Sequence, residues 1–203
     1  MRLIRVLLLS LVLAGCATTE HGAEPAAEAK ARQYREATLL AIDHWQLQGR
    51  LAIRTGDEGF SAGIEWRQSG RSFDIRLTDP LGRRLAWIQG NPEQVNLITA
   101  NGSRHEAVEP TALLQQHLGW SVPLDSLRFW VIGLADPALP LQAEAHDQLG
   151  RPVTLQQMNW QVALSRYDSS LLLAMPELLT VSREDFRARL LVEQRRQSTA
   201  DNS

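Results

Sequence analysis

The sequence predicts a mainly β fold, in which one large, curved antiparallel sheet of about ten short strands packs on a few helices. Two observations carry this prediction. Apolar and polar residues alternate with a period of two in a series of short segments, and turn-forming residues separate those segments at short intervals. With 13 Gly and 9 Pro in 203 residues, 44% of which are hydrophobic, the chain is neither collagen-like nor a disordered polymer, so we expect one folded domain.

The N-terminus has the pattern of a lipoprotein signal peptide. Two arginines in residues 1–5 precede an apolar run, which is shorter than the roughly 20 residues of a membrane span. The sequence LAGC, which ends at Cys16, resembles the bacterial lipobox, in which the thiol is acylated and becomes the mature N-terminus. We expect residues 1–15 to be a signal peptide and Cys16 to be the lipid anchor; the alternatives are an ordinary signal peptide or a core thiol.

The next residues predict a tether that leads into the domain. Residues 16–30 are small, polar and of low complexity, as is typical of a linker, here a lipidated one. Residues 32–43 have the apolar spacing of a first helix. The folded domain is expected to span residues 31–197, followed by a polar tail at residues 198–203.

Six strands are predicted before the next helix. Alternation is clearest in the first three, and the others are weaker. The predicted strands cover residues 45–53, 60–66, 73–77, 85–89, 94–99 and 104–108. Gly-rich and polar turns separate the first three, and Asn101-Gly102, a favoured hairpin dipeptide, joins the last two. The pattern is therefore that of an antiparallel meander.

Two helices interrupt the strands before the alternation returns. Residues 110–118 and 124–132 have helical spacing, and Gly119 and Gly133 stand where each helix would end. Further strands are predicted at residues 152–157, 160–164, 179–181 and 186–192. The apolar, concave face of such a sheet must be covered by other side chains. Where the helices do not cover it fully, we expect an apolar cavity, which would suit an apolar ligand.

Composition and motifs argue against several classes of function. A formal net charge of −2 provides no basic field for a nucleic acid. A single cysteine excludes an intramolecular disulfide and a Cys/His zinc site. The sequence holds no GxSxG, HExxH, phosphate-loop or GxGxxG motif. We therefore expect no enzyme, no cofactor and no metal; an anchored hydrolase would need a polar group of residues deep in the cleft.

One turn breaks the polar pattern of turns. The sequence Asp-Pro-Leu-Gly at residues 79–82 places three residues where a type I turn favours them, but its third residue is leucine. An exposed Leu81 could dip between lipid headgroups while Arg83 and Arg84 hold phosphates. The alternative is that Leu81 folds back onto the sheet.

Four segments, taken in order, resemble the LolB family, the outer-membrane receptors of bacterial lipoprotein sorting. They are WQLQGRLAI at residues 45–53, RLTDPLG at 76–82, LDSLRFWVIGL at 124–134 and WQVALSRYD at 160–168. Together with the lipobox they span nearly the whole mature domain, so their ordered combination is more specific than any one of them.

The resemblance implies a fold and a function. The fold would be an unclosed antiparallel half-barrel of ten or eleven strands over a few helices, with an apolar cavity. The protein would sit in the outer membrane by its lipid anchor, facing the periplasm. It would accept lipoprotein cargo from the periplasmic carrier LolA and insert that cargo among the outer-membrane phospholipids.

The resemblance also implies site residues. Pro80, Leu81 and Gly82 match the protruding loop that the family uses for membrane insertion. Apolar residues at inward strand positions and in one helix are the candidates for an acyl-binding cavity: Leu51, Ile64, Trp66, Phe73, Ile75 and Trp130. The alternative function is a lipid-anchored structural adaptor, which requires a filled interior without a lipid cavity.

Overall fold

The computed structural model describes residues 26–167 and 171–197. The predicted signal peptide, Cys16, most of the tether and the polar tail lie outside the described residues. Among the described residues, no helix combines the length and the apolar character that crossing a bilayer requires.

The described residues form three helices and eleven strands, which confirms the predicted fold class. The helices are α1 (Ala26–Leu40), α2 (Pro110–Leu118) and α3 (Leu124–Trp130). The strands are β1 (His44–Thr55), β2 (Glu58–Ser69), β3 (Ser72–Thr78), β4 (Arg84–Gly90), β5 (Val95–Thr99), β6 (Arg104–Ala107), β7 (Leu141–His146), β8 (Pro152–Gln157), β9 (Trp160–Ser165), β10 (Leu178–Arg183) and β11 (Phe186–Gln197).

All eleven strands belong to one antiparallel sheet, in the order β6-β5-β4-β3-β2-β1-β11-β10-β9-β8-β7. Two meanders meet at its centre, where the last strand pairs with the first along nearly the whole length of both. In the described part of the chain β6 and β7 each have one neighbour, so the sheet does not close. Alternating side chains give it one apolar face, on which α2 and α3 lie.

One strand, β7, was not predicted from the sequence. Its residues are mostly exposed and their apolar positions are two alanines and one leucine, so the alternation is weak. It pairs with β8 alone and forms one edge of the sheet. An edge strand that buries little of its surface carries little periodic signal.

The first helix is displaced from its predicted position. It begins at Ala26, inside the segment that composition assigns to the tether, and ends at Leu40 rather than at residue 43. The alanine-rich residues 26–31 are good helix formers, which a reading based on low complexity overlooks.

A buried arginine fixes α1 to the rest of the domain. Arg35 is 1% exposed, and its guanidinium donates to the carbonyl oxygens of Leu172, Gly133 and Ala174 at 3.1, 3.0 and 2.9 Å. Burial lowers the pKa of Arg35 from its ordinary value. Because three carbonyls satisfy the guanidinium, the helix is attached by polar contacts and not by an extensive apolar face.

The central strand pair depends on a glycine. Gly49 lies at a register shift between β1 and β11, where a Cβ would collide with the carbonyl oxygen of Leu191. We expect Gly49→Ala to lower the free energy of unfolding by about 3 kcal/mol, because backbone atoms cannot yield as a side chain does.

Urea unfolding followed by tryptophan fluorescence measures this change. Gly59→Ala in β2 is the matched control, since a Cβ there meets nothing within 4 Å. Equal stability of the two variants would show that the β1–β11 contact is looser than its geometry indicates.

Candidate functional site

A small apolar cavity lies between the concave face of the sheet and the helices α2 and α3. Its volume is about 60 Å³. Strands β1 to β4, β10 and β11 form the sheet side of its wall, while the two helices and their connection form the other. All sixteen wall residues are apolar, with no carboxylate, imidazole, hydroxyl or thiol among them. The wall therefore offers shelter to hydrocarbon but no group for general acid–base catalysis.

Four of the six predicted cavity residues line this space. They are Leu51 of β1, Ile64 and Trp66 of β2, and Ile75 of β3. Each holds an inward position in its strand, as the alternation predicted. That they bind acyl chains stays a prediction.

Phe73 and Trp130 do not line the cavity, which corrects their predicted placement. The Phe73 ring packs on Gly90 of the neighbouring strand, where the missing side chain leaves room for it. Trp130 is fully buried outside the cavity, and its indole N–H donates to Oε1 of Gln157 at 2.9 Å. A buried indole needs an acceptor, and the apolar cavity has none.

The part of the cavity wall formed by the helices was not among the predicted cavity residues. Leu114 of α2, Trp120 and Val122 of the connection, and Leu124 and Leu127 of α3 all face the cavity. The helical spacing of the two α3 residues indicates a buried face. The connection has no period, so nothing in its sequence shows that its apolar residues turn inward.

The cavity is far smaller than ordinary ligand pockets, which enclose about 300–1,000 Å³. A space of about 60 Å³ does not hold an acyl chain. Access for such a chain therefore requires α2, α3 or their connection to move away from the sheet.

Hydrogen bonds hold α3 in place. Ser126 Oγ donates to Asp136 Oδ2 at 2.8 Å, and the Gln157 amide both accepts from the Asp136 backbone N–H and donates to its carbonyl. Arg128 donates from Nη1 to the carbonyl of Gly70 at 3.1 Å. Together with the bond from Trp130, these contacts tie the helix to β8 and to the β2–β3 turn.

By contrast, α2 rests on the sheet through packing. Leu113 and Leu114 are its buried residues, and the His117 ring stacks on His105 of β6 with centroids 3.6 Å apart. In the part of the chain that the structure describes, no hydrogen bond joins a side chain of α2 to the sheet. Of the two helices over the cavity, α2 is thus the one held by apolar packing and ring stacking without side-chain hydrogen bonds to the sheet, as far as the described residues show.

The buried charged residues near α1 are structural. The Tyr167 hydroxyl donates to the carbonyl of Pro152 at 2.7 Å, and the guanidinium groups of Arg35 and Arg151 lie over its ring at 5.9 and 4.6 Å. Burial raises the pKa of Tyr167, and burial lowers the pKa of Arg195 to about 10. Tyr167 therefore stays a proton donor in this cluster. No group of three or more potential metal ligands occurs among the described residues.

The β3–β4 loop presents a leucine to solvent. Leu81 is 79% exposed, which excludes the alternative in which it folds back onto the sheet. The Gly82 N–H donates to the carbonyl of Asp79 at 2.9 Å, as in the expected turn, and Gly82 takes a φ of 81°. The turn thus holds an apolar side chain outward at its tip.

Asp79 is the residue that orders this loop. Its Oδ1 accepts the backbone N–H groups of Leu81 and Arg83 at 2.8 and 2.9 Å, and its Oδ2 accepts the Arg83 Nε at 2.6 Å. Desolvation disfavours the charged form, but these hydrogen bonds outweigh it and hold the pKa of Asp79 below its usual value. The loop is therefore preformed, and its carboxylate is ionised at neutral pH.

The loop lies at one end of the sheet. Because consecutive strands run antiparallel, the β3–β4 loop shares its end with the β1–β2 and β10–β11 turns. The α1 helix precedes β1 at the other end. The exposed leucine and α1 thus lie toward opposite ends of the central strands.

Comparisons with known proteins show one family. The sequence model for the family described as "Outer membrane lipoprotein LolB" matches residues 43–194. A protein named "Outer-membrane lipoprotein LolB" from Alkalilimnicola ehrlichii is 37% identical over 193 residues, 94% of each chain. The proteins of that name from Nitrosococcus oceani and Pseudomonas aeruginosa are 32% identical (94% of this chain, 95% of the relative) and 33% identical (90% and 89%).

A solved structure shares the architecture. The LolA superfamily protein from Nitrosomonas europaea superposes with a TM-score of 0.51 and 10% sequence identity, covering 83% of this chain and 94% of the other. At that identity the likeness concerns the fold.

Proposed function

This chain belongs to the LolB family of outer-membrane lipoproteins, and from that premise we propose that it accepts lipoproteins from the periplasmic carrier LolA and inserts them into the outer membrane. It acts from the periplasmic face of that membrane, to which an acylated Cys16 anchors it. The observation that carries the proposal is the wholly apolar cavity between the open sheet and a helix held by packing alone.

The cargo explains why such a cavity is needed. A lipoprotein with three acyl chains has on the order of 45 methylenes, and exposing them to water costs about 0.8 kcal/mol each. Crossing the aqueous periplasm therefore requires a shielded site. An acceptor that buried every methylene could not release its cargo, because the binding free energy would exceed the limit of non-covalent binding, about −20 kcal/mol. Partial burial in an adaptable cavity allows both acceptance and release.

The cavity supports acceptance only if it widens. We infer that α2 moves away from the sheet when acyl chains enter, because apolar and ring contacts hold it while hydrogen bonds hold α3. Leu51, Ile64, Trp66 and Ile75 then meet the acyl chains from the sheet side. Their apolar side chains, once uncovered by α2, would be covered again by the cargo.

Photo-crosslinking tests acceptance directly. A benzophenone side chain at Trp66 is expected to crosslink to lipoprotein when LolA loaded with that cargo is added, because Trp66 faces the cavity. The same group at Phe73, which packs on Gly90, is the control and is expected to give little product. Equal labelling at both positions, or none at Trp66, would contradict binding in this cavity.

The small volume of the cavity favours the second candidate, a lipid-anchored structural adaptor with a filled interior. An adaptor would use its sheet edges or surface and would not expose Trp66 to cargo. The crosslinking experiment separates the two functions, since an adaptor gives no lipid-dependent product at that position.

A further inference from the structure

We propose that the outer face of the sheet carries a headgroup groove, in which Arg50 and Arg189 hold the phosphate of an anionic phospholipid beside the membrane loop. The headgroup groove is the depression bordered by Arg50, Leu51, Ala52, Ser61, Ala62, Gly63, Asp79, Pro80, Arg189 and Leu191, with a volume of about 450 Å³. The inference rests on the proposed function, because it requires the loop to meet a bilayer.

The register of the strands builds the headgroup groove. Ala52 of β1 pairs with Ser61 of β2 on one side and with Arg189 of β11 on the other. All three are exposed and alternate with the inward cavity residues, so they lie on the opposite face of the sheet. The floor between Pro80 and Arg189 consists of small side chains, which leaves room for a bound group.

A glycine keeps the loop close to this floor. Gly63 borders the headgroup groove and pairs with Thr78, the last residue before the loop. A Cβ on Gly63 would lie 2.9 Å from Thr78 Oγ1. The absence of a side chain there leaves room for the Thr78 side chain, two residues before Pro80, which forms one wall.

The headgroup groove has more cationic than anionic capacity. Arg50 donates from Nε to Oε1 of Glu193 at 2.6 Å, and its side chain is 74% exposed. Within the described ranges, Arg189 has no hydrogen bond or ion pair. Asp79 contributes a carboxylate to the wall, but Arg83 already neutralises it. A bound phosphate would therefore contact the guanidinium of Arg189 and that of Arg50, which is already paired with Glu193.

The same face shows a further excess of positive charge. Arg54 and Arg187 stand directly opposite each other on β1 and β11, an arrangement of like charges that destabilises a strand pair. They flank the headgroup groove without lining it.

The position of the headgroup groove indicates a lipid as the source of the phosphate. Pro80 in its wall directly precedes Leu81, so a phosphate held here lies one residue away from the side chain that enters the bilayer. Its volume is that of an ordinary small-ligand site, of the scale of about 300–1,000 Å³. Leu81 and the two arginines would then engage the same leaflet, with the apolar side chain below the phosphates.

The test measures binding to vesicles of phosphatidylethanolamine with one third phosphatidylglycerol, by cosedimentation. It uses the mature chain with Cys16→Ala, so that the acyl anchor does not dominate. The double variant Arg50→Gln/Arg189→Gln is expected to bind roughly 25-fold more weakly, at about fivefold per arginine. Thermal unfolding verifies that this variant and the control variant described next keep the fold.

The matched control is Arg54→Gln/Arg187→Gln, which removes the same charge from the same face outside the headgroup groove. A clearly smaller loss in this variant supports the groove; an equal loss would overturn it, since binding would then follow net charge alone. Undiminished binding by Arg50→Gln/Arg189→Gln together with a loss in Leu81→Glu would reject the groove and leave the proposed function intact. If neither variant binds less, the membrane role of the loop fails as well. Competition by 10 mM inorganic phosphate at constant ionic strength would overturn the lipid source.

Discussion

Leu81→Glu is expected to stop the delivery of lipoproteins to bilayers while their acceptance from LolA continues. Leu81 is 79% exposed at the tip of the β3–β4 loop and does not line the cavity. Moving a carboxylate instead of a leucine into the apolar region costs about 3 kcal/mol, so we expect delivery to fall roughly a hundredfold.

The fold should not change in this variant. The loop is ordered by Asp79, which accepts the backbone N–H of residue 81 and therefore does not depend on its side chain. We expect the free energy of unfolding to stay within about 0.5 kcal/mol of the original. Loss of delivery would then report on the membrane step alone.

The measurement uses LolA loaded with a labelled lipoprotein. Transfer to the variant is followed by pull-down, and delivery is followed by the label that sediments with liposomes. Leu81→Met, which keeps an apolar side chain of similar size, is the control and should deliver normally. Normal delivery by Leu81→Glu would remove the loop from the mechanism.

Local patterns account for what the sequence predicted well. The strands around Trp66 and Leu190 have one wet and one dry face, so alternation alone locates them. The β3–β4 loop was predicted because its Asp-Pro-Leu-Gly sequence determines its turn. In both cases the residues that carry the signal are adjacent in the chain.

Long-range contacts account for what the sequence did not show. Trp130 has the helical spacing of a cavity residue, but a hydrogen bond to Gln157, 27 positions away, turns it toward β8. Likewise, the volume of the cavity depends on how closely α2 and Trp120 settle on the sheet. The strand β7 lacked an apolar face, so no period revealed it. None of these features can be recognised from the pattern of neighbouring residues in the sequence.

Crosslinking α2 to the edge of the sheet is expected to block acceptance of cargo. His105 of β6 and His117 of α2 stack with ring centroids 3.6 Å apart, so cysteines at both positions are close enough for a short bismaleimide. A cavity of about 60 Å³ cannot hold an acyl chain unless it widens, and the crosslink removes that freedom. If cargo binds only the widened conformation, its apparent affinity falls with the population of that conformation, by at least about tenfold.

The control must carry the same chemistry without restraining the helix. Gln48 and Glu65 are cross-strand partners on the outer face of β1 and β2, and their side chains already meet at 3.3 Å. Crosslinked Gln48→Cys/Glu65→Cys should accept cargo normally, whereas crosslinked His105→Cys/His117→Cys should not. Before the reagent is added, both double variants should accept it. Undiminished acceptance by the crosslinked α2 variant would show that cargo enters without movement of this helix, and the opening would then have to lie between α3 and the sheet, where hydrogen bonds must break.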